Sequence, residues 1–129
     1  MADEHGRLAH LEAATPTPIA QLDPGLQNLE SHVVQGVVTI FWPYSLVTRT
    51  VAFLLAEHDV LLRRRGGQIR VQFGGAAAKA VAASGLGGGD EVKLSLEGVV
   101  WERNKNPISA PASGHEWELR FSPKALLQV

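Results

Sequence analysis

A chain of 129 residues with 45% hydrophobic and 19% charged residues suits one globular domain with a real core. It has no cysteine, which excludes disulfides and thiolate metal sites and agrees with a reducing compartment, and no apolar run approaches the ~20 residues of a membrane-spanning helix. The net charge of −1 hides an asymmetry: residues 1–30 hold five acids against one base, and residues 31–129 hold eleven bases against eight acids. The larger part is thus mildly basic, which permits a nucleic-acid partner without announcing one.

Residues 1–18 are expected to form a flexible N-terminal tail, closed by Thr15-Pro16-Thr17-Pro18. The folded domain is expected over 19–129, as a piece of a longer protein. Ile19, Leu22, Leu26 and Leu29 are spaced to pack against it. Val33 to Trp42 is a β-branched and aromatic run and predicts the first strand, with Gly36 marking a bulge or bend and Pro43 a stop. Arg49 to Glu57 predicts a second strand with both faces apolar. Gln68 to Phe73 alternates, with Ile69, Val71 and Phe73 on one face and Gln68, Arg70 and Gln72 on the other, which predicts a half-buried third strand.

The alanine-rich stretch from Ala76 to Ser84 predicts a helix, ended by Gly85 as a left-handed cap with Leu86 packed beneath it. Val92, Leu94 and Leu96 alternate with polar residues in a fourth strand, which residues 98–102 continue or bend. Residues 103–114 read as a polar surface loop. Trp117, Leu119 and Phe121 alternate with Glu116, Glu118 and Arg120 in a fifth strand, and residues 124–129 are mostly apolar. Strand, strand, strand, helix, strand, strand is the order of an all-β, five-stranded OB-fold Greek-key barrel, with one short helix between strands three and four. Another small barrel or an α+β sandwich is the alternative.

Catalytic signals are weak. His5, His10, His32, His58 and His115 are scattered, and no HExxH, nucleophile elbow or metal-ligand spacing occurs, so no enzyme activity, cofactor or metal is expected. Gly85 to Gly89 follows a helix and opens a strand, the reverse of a phosphate cradle, and reads as turn chemistry. Binding signals are better. Arg63, Arg64 and Arg65, with Arg70 on the next strand, suit phosphate contacts, or else form a solvated hairpin tip. Trp42 and Tyr44 lie where the first strand meets its loop. They can stack on bases or pack in the core, with Tyr44 the more exposed candidate. Trp101 near Lys105 has the same two readings, and Arg49 and Arg120 are further phosphate candidates.

The segments GVVTIFWPYS, TVAFLLAEHDVLLRRRGGQIRVQF and GLGGGDEVKLSLEGVVW resemble the telomeric single-stranded DNA-binding OB domain of fungal telomere end-protection proteins, the protection-of-telomeres and ciliate end-binding type. The likeness covers about residues 19–104. It implies a nuclear protein at the chromosome end that binds G-rich single strands or recruits other telomere-capping proteins. On that reading Arg49, Arg63, Arg64, Arg65, Arg70 and Lys105 contact phosphates, and Trp42, Tyr44 and Trp101 stack on bases. The alternative is a protein-interaction or dimerisation OB module of the same assembly. The two-sided apolar strand 51–56 and the apolar end 124–129 motivate it.

Overall fold

The computed structural model describes residues 15–64, 66–103, 117–121 and 127–128, with Glu30 and the last pair described by backbone alone. One mixed sheet contains β1 (Val33–Ser45), β2 (Thr50–Ala56), β3 (Gln68–Gly74), β4 (Glu91–Ser95), β5 (Val100–Arg103), β6 (Trp117–Phe121) and the two-residue β7 (Leu127–Gln128). Their order across the sheet is β5-β6-β3-β2-β1-β4-β7. Every pair is antiparallel except β3 with β6. A single helical turn, α1 (Val60–Arg63), links β2 to β3, and α2 (Gly75–Ala83) follows β3 directly.

The mostly-β architecture, with its main helix after the third strand, agrees with expectation. The five-stranded closed barrel does not. The expected fourth strand is two strands, because the chain turns between Leu96 and Val99, where Val99 N donates to Leu96 O at 3.1 Å and Gly98 takes φ +79°. Only glycine adopts that conformation cheaply. The two pieces serve different neighbours: β4 pairs with β1 and β7, and β5 with β6. Among the described residues no ladder joins β5 to β7, so the sheet is not closed.

β1 is longer and less regular than its sequence suggests. Its bulge lies at Thr39, since Val38 pairs with Leu55 and Ile40 with Leu54, and not at Gly36. Gly36 has a different task. A Cβ there would lie 2.4 Å from the Ala56 carbonyl oxygen, so glycine permits the close approach of β1 to the end of β2. Pro43 does not end the strand, which runs to Ser45 with a second register shift between Trp42 and Ser45. A proline lacks a ladder donor and is tolerated at such an irregularity.

Val51, Phe53 and Leu55 of β2 face the core with Ile69, Val71 and Phe73 of β3 and Leu119 and Phe121 of β6. Phe73 is tilted against Phe53 at 5.8 Å and stacked on Phe121 at 5.4 Å between ring centroids. Burying each such ring stabilises the fold by about 1.5–3 kcal/mol. α2 buries Ala77, Ala78 and Val81, whose small side chains let the helix sit close to the sheet. Gly85 caps it at φ +78° and Leu86 is buried after it, as expected. The N-terminal segment packs elsewhere on the core: Ile19 and Leu22 are buried, Ile19 N donates to Glu57 Oε2 at 3.0 Å, and Thr17 N donates to Val33 O at 2.8 Å. Among the described residues Pro16, in the stretch read as tail, bridges Val33 of the sheet.

Candidate functional site

Side chains of paired residues in adjacent strands share a face. The register therefore places Trp42, Ala52, Gln72, Arg120 and Val100 in one row on the outer face, across β1, β2, β3, β6 and β5. The next row holds Ile40, Leu54, Arg70, Glu118 and Glu102. The Thr39 bulge creates this arrangement. It inverts the alternation of β1, so Val38 faces the core while Ile40 and Trp42 face outward.

At the centre of the face, Arg70 and Trp42 meet across β2. The guanidinium carbon lies 5.2 Å from the indole centroid, a cation–π contact worth about 0.5–1 kcal/mol where partly exposed. β2 has small Ala52 between them and buries both Ala52 and Leu54 on this outer side, which accounts for its apolar character on two faces. Arg70 Nη1 also donates to Gln72 Oε1 at 2.9 Å and to Glu118 Oε2 at 3.3 Å. The second pair on the face is looser, with Arg120 Nη1 and Glu102 Oε2 3.8 Å apart. The rows thus hold two guanidinium groups and two carboxylates. Ile40 and Val100 add exposed aliphatic surface at 44% and 55% of their possible area.

The remaining predicted residues are dispersed. Tyr44 is half-buried and packs against the core, as is Trp101, whose Nε1 is buried with no hydrogen-bond partner among the described residues. Trp42 is half-buried as well. Arg49 is exposed in the turn after β1, at φ +58°, beside Leu46 and Val47, which are 84% and 93% exposed. Arg63 belongs to α1 and spends its Nε on the Glu57 carbonyl at 2.6 Å, while Arg64 is exposed. Arg65 and Lys105 lie outside the described residues. Among the described residues of the predicted set, Trp42 and Arg70 come together, with Arg120 on the same face. Ile40, Glu102, Glu118 and Val100 are members of the face that the sequence reading did not single out. The clean in–out alternation of residues 116–121 marked Glu118 as outward, but its nearness to Arg70 depends on the parallel pairing of β3 with β6.

Among the described residues no three His, Asp or Glu side chains are grouped to hold a metal ion. No helix among them is long and apolar enough to cross a membrane.

The fold and face define a β-rich domain with an open outer sheet surface. Residues 12–129 match the family described as a domain of unknown function (DUF8502), and the chain belongs to that family. No curated protein matches it. Among solved structures it is similar to the crystal structure of a protein from Leishmania major Friedlin assigned as an aspartyl-tRNA synthetase, with TM-score 0.57 and 11% identity over 84% of this chain. This chain spans only 20% of that one, and the likeness is one of fold.

Proposed function

We propose that this is an OB-type binding domain that takes single-stranded, G-rich DNA at chromosome ends across the outer face of β1, β2, β3 and β6. The pairing order supports the OB reading. If β4 and β5 are counted as one bent strand, β1–β2–β3 form a meander, β1 also pairs with the fourth strand, and β3 runs parallel to the last. The observation that carries the binding reading is the Arg70 guanidinium lying over the Trp42 indole on this face. A planar cation held against an aromatic ring is a platform on which a base can stack, and stacking is worth about 1–3 kcal/mol per base. The sequence likeness to fungal telomere end-protection domains supplies the class of ligand and a nuclear location.

Trp42 and Arg70 stack on bases and Gln72 reads an edge. Arg49, exposed in the turn after β1, meets phosphates, with Arg65 and Lys105 as the further cations. The test is fluorescence anisotropy of a labelled G-rich single strand against duplex and a scrambled strand, at two salt concentrations. The expected result is preference for the G-rich strand, weakened by Trp42→Ala and falling with salt as phosphate neutralisation requires. Absence of binding at micromolar protein and low salt sinks the reading.

A second reading uses the same face for a protein, either another telomere-capping protein or a second copy of this chain. The balanced charges of Arg70, Glu118, Arg120 and Glu102, together with exposed Ile40 and Val100, favour it. Light scattering separates the readings: a dimer lost in Ile40→Ser, without DNA binding, supports the second.

A further inference from the structure

The connection from β2 to β3 presents three consecutive large aliphatic side chains to solvent. Val60, Leu61 and Leu62 are 57%, 67% and 46% exposed, on the single turn α1. A loop left free by function is normally polar, and contiguous exposed apolar residues mark contact sites. The turn is firmly built. Asp59 Oδ1 accepts from Leu61 N at 2.9 Å, and Arg63 Nε donates to Glu57 O at 2.6 Å. Gly67 N donates to Leu62 O and Glu57 N to Gly67 O, both at 2.9 Å. Gly67 is required for this closure, since a Cβ there would stand 2.3 Å from the Leu62 carbonyl oxygen. Local structure thus holds the three side chains outward instead of folding them away.

Charge around the turn is segregated. The acids precede it and point to backbone N–H groups: Glu57 to Ile19 and Asp59 to Leu61. Glu91, nearby through His58, is held by that ring at 2.8 Å. The arginines stand at its end, Arg63 as its last residue and Arg64 next to it. Among the described residues Arg64 is exposed with no ion pair, and Arg63 commits Nε to the Glu57 carbonyl and has no ion pair.

We propose that α1 is a protein-docking site, separate from the outer face of the sheet, and that its occupant is an acidic amphipathic segment of a partner protein. The partner's aliphatic side chains cover Val60, Leu61 and Leu62, and its carboxylates meet Arg63 and Arg64. Nucleic acid does not fit the centre of the patch, because phosphates gain nothing from three aliphatic side chains.

The probe is a labelled helical peptide with leucines at i, i+3, i+4 and i+7 and glutamates elsewhere, titrated against the whole chain. Its counterpart carries lysines in place of the glutamates. The acidic peptide is expected to bind and the basic one to bind at least about tenfold more weakly. Leu61→Ser is expected to weaken the acidic peptide about tenfold and to leave single-stranded DNA binding unchanged, and Arg64→Glu to reverse the peptide preference. Leu61 is exposed, so circular dichroism should report an unchanged fold. Equal binding of both peptides, or of wild type and Leu61→Ser, overturns the proposal. So does a concentration-dependent dimer abolished by Leu61→Ser, which would make a second copy the occupant.

Discussion

Arg70 shows how much one side chain can organise. It meets the Trp42 ring, Gln72 and Glu118, and the carboxylate it holds is only 13% exposed. Removing the guanidinium leaves that carboxylate without its cation, so Arg70→Ala is expected to destabilise by about 1–3 kcal/mol in urea unfolding. Arg70→Ala combined with Glu118→Ala should recover part of that loss. If the double variant is no more stable than Arg70→Ala alone, the pair is not coupled. Arg70→Lys keeps the charge but not the planar fork, and should not restore the contact with Trp42. The sequence revealed half of this. Alternation in residues 68–73 put Arg70 outward. Trp42 was ambiguous because Val34, Val38, Ile40 and Trp42 are all even-numbered, and only an extra residue at Thr39 can send the first two inward and the last two outward. A bulge of that kind leaves no local mark, and the glycine that drew attention, Gly36, serves close approach instead.

Elements were more legible than their joints. The strands and α2 follow from period and composition, because half-burial enforces alternation and alanine favours helix. The split of the fourth strand was not legible, since its cause is that its two halves find different partners, β1 and β6, far apart in the chain. Joints also carry strict demands. Gly36→Ala and Gly67→Ala each drive a Cβ into a backbone carbonyl oxygen, at 2.4 Å and 2.3 Å, and backbone cannot yield as a flexible side chain does. Each is expected to cost about 2–4 kcal/mol in denaturant unfolding; a loss under about 0.5 kcal/mol would mean that the chain relaxes around the methyl group. A milder joint is the exposed link from His58 to Glu91, tying the end of β2 to β4. Hydrogen bonds from His58 and then Gln35 hold the Glu91 carboxyl below its usual range. A depressed folded value means that the stabilisation is present above the ordinary carboxylate range and is lost as pH falls through the depressed value. The stability difference between wild type and Glu91→Gln should therefore be largest near neutrality and shrink in acid. A difference that does not change with pH would contradict the link.

At the scale of the whole molecule, the sheet does not close on itself among the described residues, and segments outside it help to complete the core. α2 supplies one such cover with Ala77, Ala78 and Val81, and the stretch before β1 supplies another with Ile19 and Leu22. The spacing of Ile19, Leu22, Leu26 and Leu29 made this cover visible in the sequence, whereas the contact of Pro16 with Val33 was not, because a proline-rich stretch carries no periodic signal. Polar contacts pin the cover: Thr17 N donates to Val33 O, and Ile19 N donates to Glu57 Oε2, which also fixes the carboxylate that precedes α1. If the segment is integral, Ile19→Ala should remove about 2–5 kcal/mol, a large part of the 5–15 kcal/mol typical of a domain. Glu57→Ala should remove about 1–2 kcal/mol and speed hydrogen exchange at the Ile19 amide. Such a loss in Ile19→Ala, together with an unchanged midpoint slope in urea, means that the segment unfolds with the sheet as one unit. Loss of the Ile19 amide's protection in wild type, far below the unfolding midpoint, would instead show a cover that opens independently, and the core would then be exposed without global unfolding.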